Sequence, residues 1–240
     1  MALVAAVLHG GCTREPPPPP EPTAVTVGVH SLAFRVPEGW LHFDHGREQR
    51  FERGLLQMSI ADLGPVDGAG YARAIEDARD LWRAGRLEDA RETLGRLRLR
   101  SAFPSEEEWR AFRVPWEIVS QVGSGASPGE LDEAYRSVLE TVRGLLSPPL
   151  EAATAAALAD LGHDERRSVA EREPVLIDDR EGMWVDTWDR LSHDHRQRFL
   201  FVVSEGHLLV VHTDLGAFPE MEGALGELGR SLEFRSDRLP

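Results

Sequence analysis

Leu32, Phe34 and Val36 alternate with Ser31, Ala33 and Arg35, the period of a strand with one apolar face, and Pro37-Glu38-Gly39 predicts the turn that ends it. The stretch from His42 to Arg53 is polar and reads as a connection. Beyond it, Leu56, Met58 and Ile60 fall on one face of a second strand, broken by Gly64-Pro65. From Asp67 the period becomes helical. Tyr71, Ile75, Ala78 and Trp82 recur at steps of three and four, Gly85 interrupts, and Leu87, Ala90, Leu94 and Leu97 carry a second stripe, so a helical hairpin is expected. Ser105 with Glu108 predicts a capped helix, and Ser127, Pro128 and Glu130 predict another, running to Leu146. After Pro148-Pro149 an alanine-rich helix is expected over Glu151 to Leu161, ended by Gly162.

The last third returns to sheet. Met183 to Trp188 reads as a strand with Trp184 and Trp188 on one face, and the apolar runs Phe199 to Val203 and Leu208 to Val211 predict strands covered on both faces. Glu205-Gly206 predicts the tight turn between them. A helix follows from about Phe218 to Arg230, presenting Phe218, Met221, Leu225 and Leu228, and Leu232-Glu233-Phe234 reads as a final strand. Strands at both ends with helices between them imply an α+β fold, a sheet flanked by helices with a long helical insert between its N-terminal and C-terminal strands. The expected division is a leader and linker over 1–23, a discontinuous α/β domain over 24–66 and 163–236, and a helical insert over 67–162.

Within the insert, Gly85-Arg86-Leu87-Glu88-Asp89-Ala90 echoes Gly129-Glu130-Leu131-Asp132-Glu133-Ala134. Both resemble the middle of a tetratricopeptide repeat, although two copies do not make an array and an ordinary helical insert explains them equally. Trp82, Trp109, Trp116 and Tyr135 also lie here, as core residues or as the face of a peptide groove.

A net charge of −14 over 240 residues argues against nucleic acid or an anionic membrane surface as a direct partner. All 27 basic residues are arginine and asparagine is absent, a bias that tracks GC-rich codons, so the arginines do not read as a phosphate-binding set.

The single cysteine changes the picture of location. Cys12 follows the short apolar run Ala2 to Leu8 and precedes the prolines Pro16 to Pro20. The run is too short to span a bilayer, and His9-Gly10-Gly11-Cys12 resembles a degenerate bacterial lipobox. Acylation at Cys12 would give a lone thiol of an exported chain a role, and the proline-rich stretch Thr13 to Thr23 is an extended spacer. Thr13 rather than aspartate after the cysteine favours the outer membrane by analogy with lipoproteins.

Two patterns offer chemistry. Gly125-Ala126-Ser127-Pro128-Gly129 fits G-x-S-x-G, with Trp116 to Val122 read as a strand before it, but an oxyanion hole needs the N–H of the residue after the serine and Pro128 has none. Ser127 is better explained as a helix cap. The second pattern is His42 and His45 in one β connection with His193 and His195 in another, four ligands that could converge on a metal or remain separate solvated loops. Asp178-Asp179 and the acids from Asp186 to Asp194 read as a solvated face.

Phe34-Arg35-Val36-Pro37-Glu38-Gly39-Trp40, the hairpin from Arg198 to Val211, the helix after it and Ser231-Leu232-Glu233-Phe234 resemble the PsbP-like superfamily. That resemblance covers Val29 to Ile60 and Arg180 to Phe234. It implies an antiparallel sheet between helices in an α/β/α sandwich, a protein-binding or scaffolding role, no shared catalytic residues and no cofactor. The stretch from Asp67 to Gly162 exceeds the family pattern. The sequence thus points to a membrane-anchored, non-enzymatic envelope lipoprotein with a protein partner. The alternative is a metal-assisted hydrolase built on the loop histidines His42, His45, His193 and His195 and the aspartates of those loops.

Overall fold

Alternation within the apolar runs decides the layers: Leu200, Val202, Leu209 and Val211 enter one core, while Phe199, Phe201, Leu208 and Val210 enter another on the opposite face of the same strands. The computed structural model describes residues 21–36, 38–103, 105–123, 125–160, 167–189, 196–216 and 220–235. Its strands are β1 Thr23–Val27, β2 His30–Phe34, β3 Leu41–Asp44, β4 Glu48–Arg53, β5 Leu56–Pro65, β6 Arg167–Ile177, β7 Arg180–Asp189, β8 Arg196–Ser204, β9 His207–Asp214 and β10 Glu233–Phe234. Its helices are α1 Gly68–Arg83, α2 Leu87–Gly95, α3 Leu99–Ala102, α4 Glu106–Ser120, α5 Pro128–Arg143, α6 Leu150–Asp160 and α7 Glu220–Ser231.

Seven strands form an antiparallel sheet in the order β3-β4-β5-β9-β8-β7-β6, and β1, β2 and β10 form a smaller antiparallel sheet in the order β1-β2-β10. The small sheet and α7 cover one face of the large sheet, through Leu32, Phe34, Met221, Leu225 and Leu228. On the other face, α6 packs through Ala157 and Leu158. The expected α+β sandwich of sheet between helices is what these layers make. Glu205 and Gly206 both take positive φ, 51° and 75°, in the turn between β8 and β9. Among the described residues, no helix is long and apolar enough to cross a membrane.

Several segments differ from the sequence expectation, among them β6, which the sequence pattern does not predict as a strand. His42 to Arg53, read as a polar connection, is the β3-β4 hairpin, because only Gln49 and Phe51 need to point inward and the strands pair through their backbones. The apolar run Trp116 to Val122, read as a strand, lies mostly in α4, where Phe112, Trp116 and Val119 recur at helical steps on the bundle side. The helix begun at Pro128 ends at Arg143, short of Leu146, with Gly144 as its cap.

The expected insert over 67–162 contains two packing groups. Helices α1 to α5 share one core, centred on Tyr71, Ile75, Leu94, Phe112, Tyr135 and Val138, whereas α6 belongs to the sheet layers. In the first group α1 packs on α2, α2 on α4, α4 on α5, and α5 back on α1. Contact between the first and last helix closes a bundle, which a solenoid of repeats does not do, so the two echoing segments are not an array. Their alanines, Ala90 and Ala134, are both buried where helices approach closely. The bundle joins the sheet where Asp67 caps α1 and Val66 N–H donates to Gly206 O at 2.8 Å. A Cβ at Gly206 would come within 2.6 Å of the Asp67 carboxylate, so this junction needs glycine.

Candidate functional site

Two features stand out, one polar and buried, the other apolar and open. The polar one sits where the small sheet crosses the large one. His30 opens β2, Asp62 lies near the end of β5 and His207 opens β9, and all three are buried. Each continues an inward alternation: His30 precedes Leu32 and Phe34, Asp62 follows Leu56, Met58 and Ile60, and His207 precedes Leu209 and Val211. The register of β5 on β9 shifts between Asp62 and Pro65, a bulge that turns Asp62 into the cluster.

The Asp62 side chain has no solvent exposure. Its Oδ1 accepts from Gly64 N–H at 2.8 Å, its Oδ2 accepts from Arg47 at 2.9 Å, and His207 Nδ1 lies 3.1 Å from Oδ1. Burial works to raise the Asp62 pKa, but the His207 hydrogen bond and charge, and then Arg47, outweigh it and hold the carboxyl well below the usual carboxylate range. Burial pushes the pKa of His30 down; the Asp62 charge opposes this without reversing it. The His30 Nε2 is buried and has no hydrogen-bond partner, although the ring meets His207 and Phe234 edge-on at 5.9 Å. Gly28, at φ 59° in the turn between β1 and β2, lies against Asp62, and a Cβ there would overlap the carboxylate.

The apolar feature is a groove of about 900 Å³ on the helical bundle, between α3, the α4 face carrying Phe112 and Pro115, the end of α5 and the linker Leu145 to Pro149. Phe103, Ala111 and Leu145 also line it, and Leu146 stands 88% exposed on its wall. Pro115 lacks the N–H that would otherwise bond the Ala111 carbonyl, and both residues line the groove. Glu108 is the acidic residue of the lining, and Glu106 and Glu107 share its helical turn. The aromatic residues of the insert divide accordingly: Tyr135 is fully buried, while Trp82, Trp109 and Trp116 are half-buried at the margin of the bundle core.

A third cavity, between β6, β7 and α7, is charged, lined by Arg198, Arg230, Asp178 and Glu222. Arg198 binds Glu222 at 2.6 Å and lies 3.5 Å from buried Asp186, and Arg196 binds Asp186. Asp178 and Asp179, read as solvated acids, are the positive-φ turn between β6 and β7, and Asp178 accepts from Phe234 N–H at 2.8 Å to hold β10.

The four histidines read from the sequence fare unequally. His42 stacks on Phe51 with centroids 4.8 Å apart and its Nε2 is 2.6 Å from Gln49 Oε1; His45 lies exposed in the β3-β4 turn. His193 and His195 lie outside the described residues, as does Cys12. Among the described residues the grouping with metal-ligand geometry is instead His30, Asp62 and His207, which sequence reasoning missed. Ser127 is the expected cap of α5, its Oγ accepting from Glu130 N–H at 3.3 Å, in a complete capping box.

No family model matches the chain, and no curated protein matches it either. Among solved structures, the chain is similar to the cyanobacterial PsbP (CyanoP) of Synechocystis sp. PCC 6803, with a TM-score of 0.40 and 9% identity over 90% of this chain and 93% of that one.

Proposed function

We propose that the protein is a lipid-anchored envelope protein, held by Cys12 at the outer membrane, that binds a protein partner through the groove of its helical bundle and catalyses no reaction. The groove carries this reading. Its lining is dominated by Phe103, Phe112, Pro115, Leu145 and Leu146, and it lacks the paired titratable groups that acid–base chemistry requires. Its size suits two or three apolar side chains of a peptide segment, each contributing about 1.5–3 kcal/mol when buried. The acidic turn Glu106-Glu107-Glu108 at its rim and the net charge of −14 favour a partner segment with basic flanks. The charged cavity beside α7 supports binding less well, because Arg198 already holds Glu222 across it.

Ala111→Arg and Leu146→Glu place charge in the groove at exposed positions. Each should weaken binding to a partner isolated with the full-length chain by about tenfold or more, the equivalent of about 1.4 kcal/mol, with an unchanged melting temperature. Equal affinity in both variants, measured by calorimetry with that partner, would remove the groove from recognition.

Anchoring rests on the apolar leader, Cys12 and the proline spacer, which would hold the folded part off the membrane by roughly 3 Å per extended residue. Fractionating cells should find wild type with the membranes and Cys12→Ser in the soluble fraction. Equal solubility of the two would sink the anchor.

A further inference from the structure

We infer that His30, Asp62 and His207 form a binding site for a divalent transition-metal cation of the zinc class, one that fastens the small sheet to the large one. This is independent of partner binding by the helical bundle. Each of the three residues offers one ligand atom, and these atoms lie within 4.8 Å of one another, all buried. Two imidazoles and one carboxylate are the donor set that borderline cations prefer.

The side chains are not a satisfied hydrogen-bonded cluster. His30 is only 3% exposed, yet its Nε2 finds no hydrogen-bond partner, an arrangement that leaves a buried polar atom desolvated without return. A neutral imidazole is the form that ligates a metal, and burial favours the neutral form of His30. Asp62 is already engaged: Gly64 and Arg47 each donate to it, and His207 Nδ1 lies 3.1 Å from its Oδ1 and 3.3 Å from its Oδ2, so a cation would replace the contact between Asp62 and His207.

A tetrahedral zinc ion with ligand bonds of about 2.0 Å needs its ligand atoms roughly 3.3 Å apart. The separation of up to 4.8 Å leaves about 1.5 Å to be closed on binding. The glycine at position 28 leaves the turn of β1 and β2 free of a side chain directly over Asp62. Because His30 belongs to the small sheet and Asp62 and His207 to adjacent strands of the large one, a cation here would cross-link the two sheets. Arg47 is its competitor, a fixed cation 2.9 Å from the same carboxylate.

The competition supplies the test. Zinc is titrated calorimetrically into the full-length chain after chelator treatment. His30→Gln keeps Asp62 bonded to Arg47, Gly64 and His207 but removes one ligand, so affinity should fall by about a hundredfold or more, since even loss of an indirect support costs about 10–100-fold. Arg47→Gln should move the other way and bind zinc more tightly, with zinc raising its melting temperature further than that of wild type. Arg47 is 36% exposed, so this variant is compatible with folding even if His30→Gln is not. Undiminished zinc affinity in His30→Gln would place the ion on other histidines, and absence of binding by wild type, or no gain in Arg47→Gln, would equally overturn the site.

Discussion

Val202→Asp should abolish the cooperative thermal transition of the protein and its near-ultraviolet circular dichroism. Val202 has no exposure and lies in β8, paired on one side with β9 and on the other with β7. It belongs to the apolar core that also holds Leu32, Phe34, Leu209 and Leu228, which offers a carboxylate no side-chain donor. An unpaired buried polar or charged group costs several kcal/mol, and a domain has only about 5–15 kcal/mol in total. The matched control is Leu176→Asp on edge strand β6, 71% exposed, expected to change stability by no more than about 0.5 kcal/mol. An unaltered transition in Val202→Asp would show that the hairpin of β8 and β9 is peripheral, contrary to its central place in the sheet.

That hairpin was legible because two uninterrupted apolar runs around Glu205-Gly206 admit few other structures. The strands that escaped the sequence are those that bury little. β6 carries Arg172, Glu173 and Pro174 and is largely exposed at the edge of the sheet, where charge and proline guard against further pairing rather than mark a core. β3 is exposed throughout and exists through its pairing with β4, a tertiary choice that no local propensity encodes. α6 shows the converse. Its alanines gave the helix but not its partner, and it docks on the sheet through Ala157 and Leu158 instead of joining the bundle that precedes it.

The buried cluster was within reach of the same reasoning that found the strands. Extending Leu56, Met58 and Ile60 by one period brings Asp62 onto the core face, and stepping back one period from Leu32 or Leu209 brings a histidine there each time. A single polar residue on an apolar face is commonplace at a strand end; three become informative only when topology makes β2, β5 and β9 neighbours, and β2 reaches the cluster from a different sheet. The histidines that sequence reasoning favoured were conspicuous for the opposite reason. They stand in polar segments, where His42 and His45 have little to desolvate them and ordinary local contacts to occupy them. The groove was anticipated only as a face for the insert's aromatic residues, since its wall depends on the path of the linker from Leu145 to Pro149 over α4.

Acidification of the metal-free protein should destabilise it in two steps, each assignable to one member of the cluster. Both His30 and Asp62 have folded pKa values below their unfolded ones, near 6.5 and 3.8. The unfolded chain therefore binds more protons than the folded one as pH falls past each unfolded value, and stability must decline with it. For His30 the loss begins below about pH 6.5, where the unfolded imidazole charges and the buried one resists. For Asp62 it begins below about pH 4, as the unfolded carboxyl takes up a proton that the folded one, held by His207 and Arg47, refuses. Urea unfolding with chelator present, at intervals from pH 8 to pH 3, should show a shallower slope for His30→Gln than for wild type in the upper window only. Asp62→Asn should flatten the lower window and cost about 3 kcal/mol at neutral pH, because the rim cation Arg47 loses its counter-charge and the buried His207 its carboxylate partner. Parallel curves for wild type and both variants would mean that the cluster does not govern acid stability.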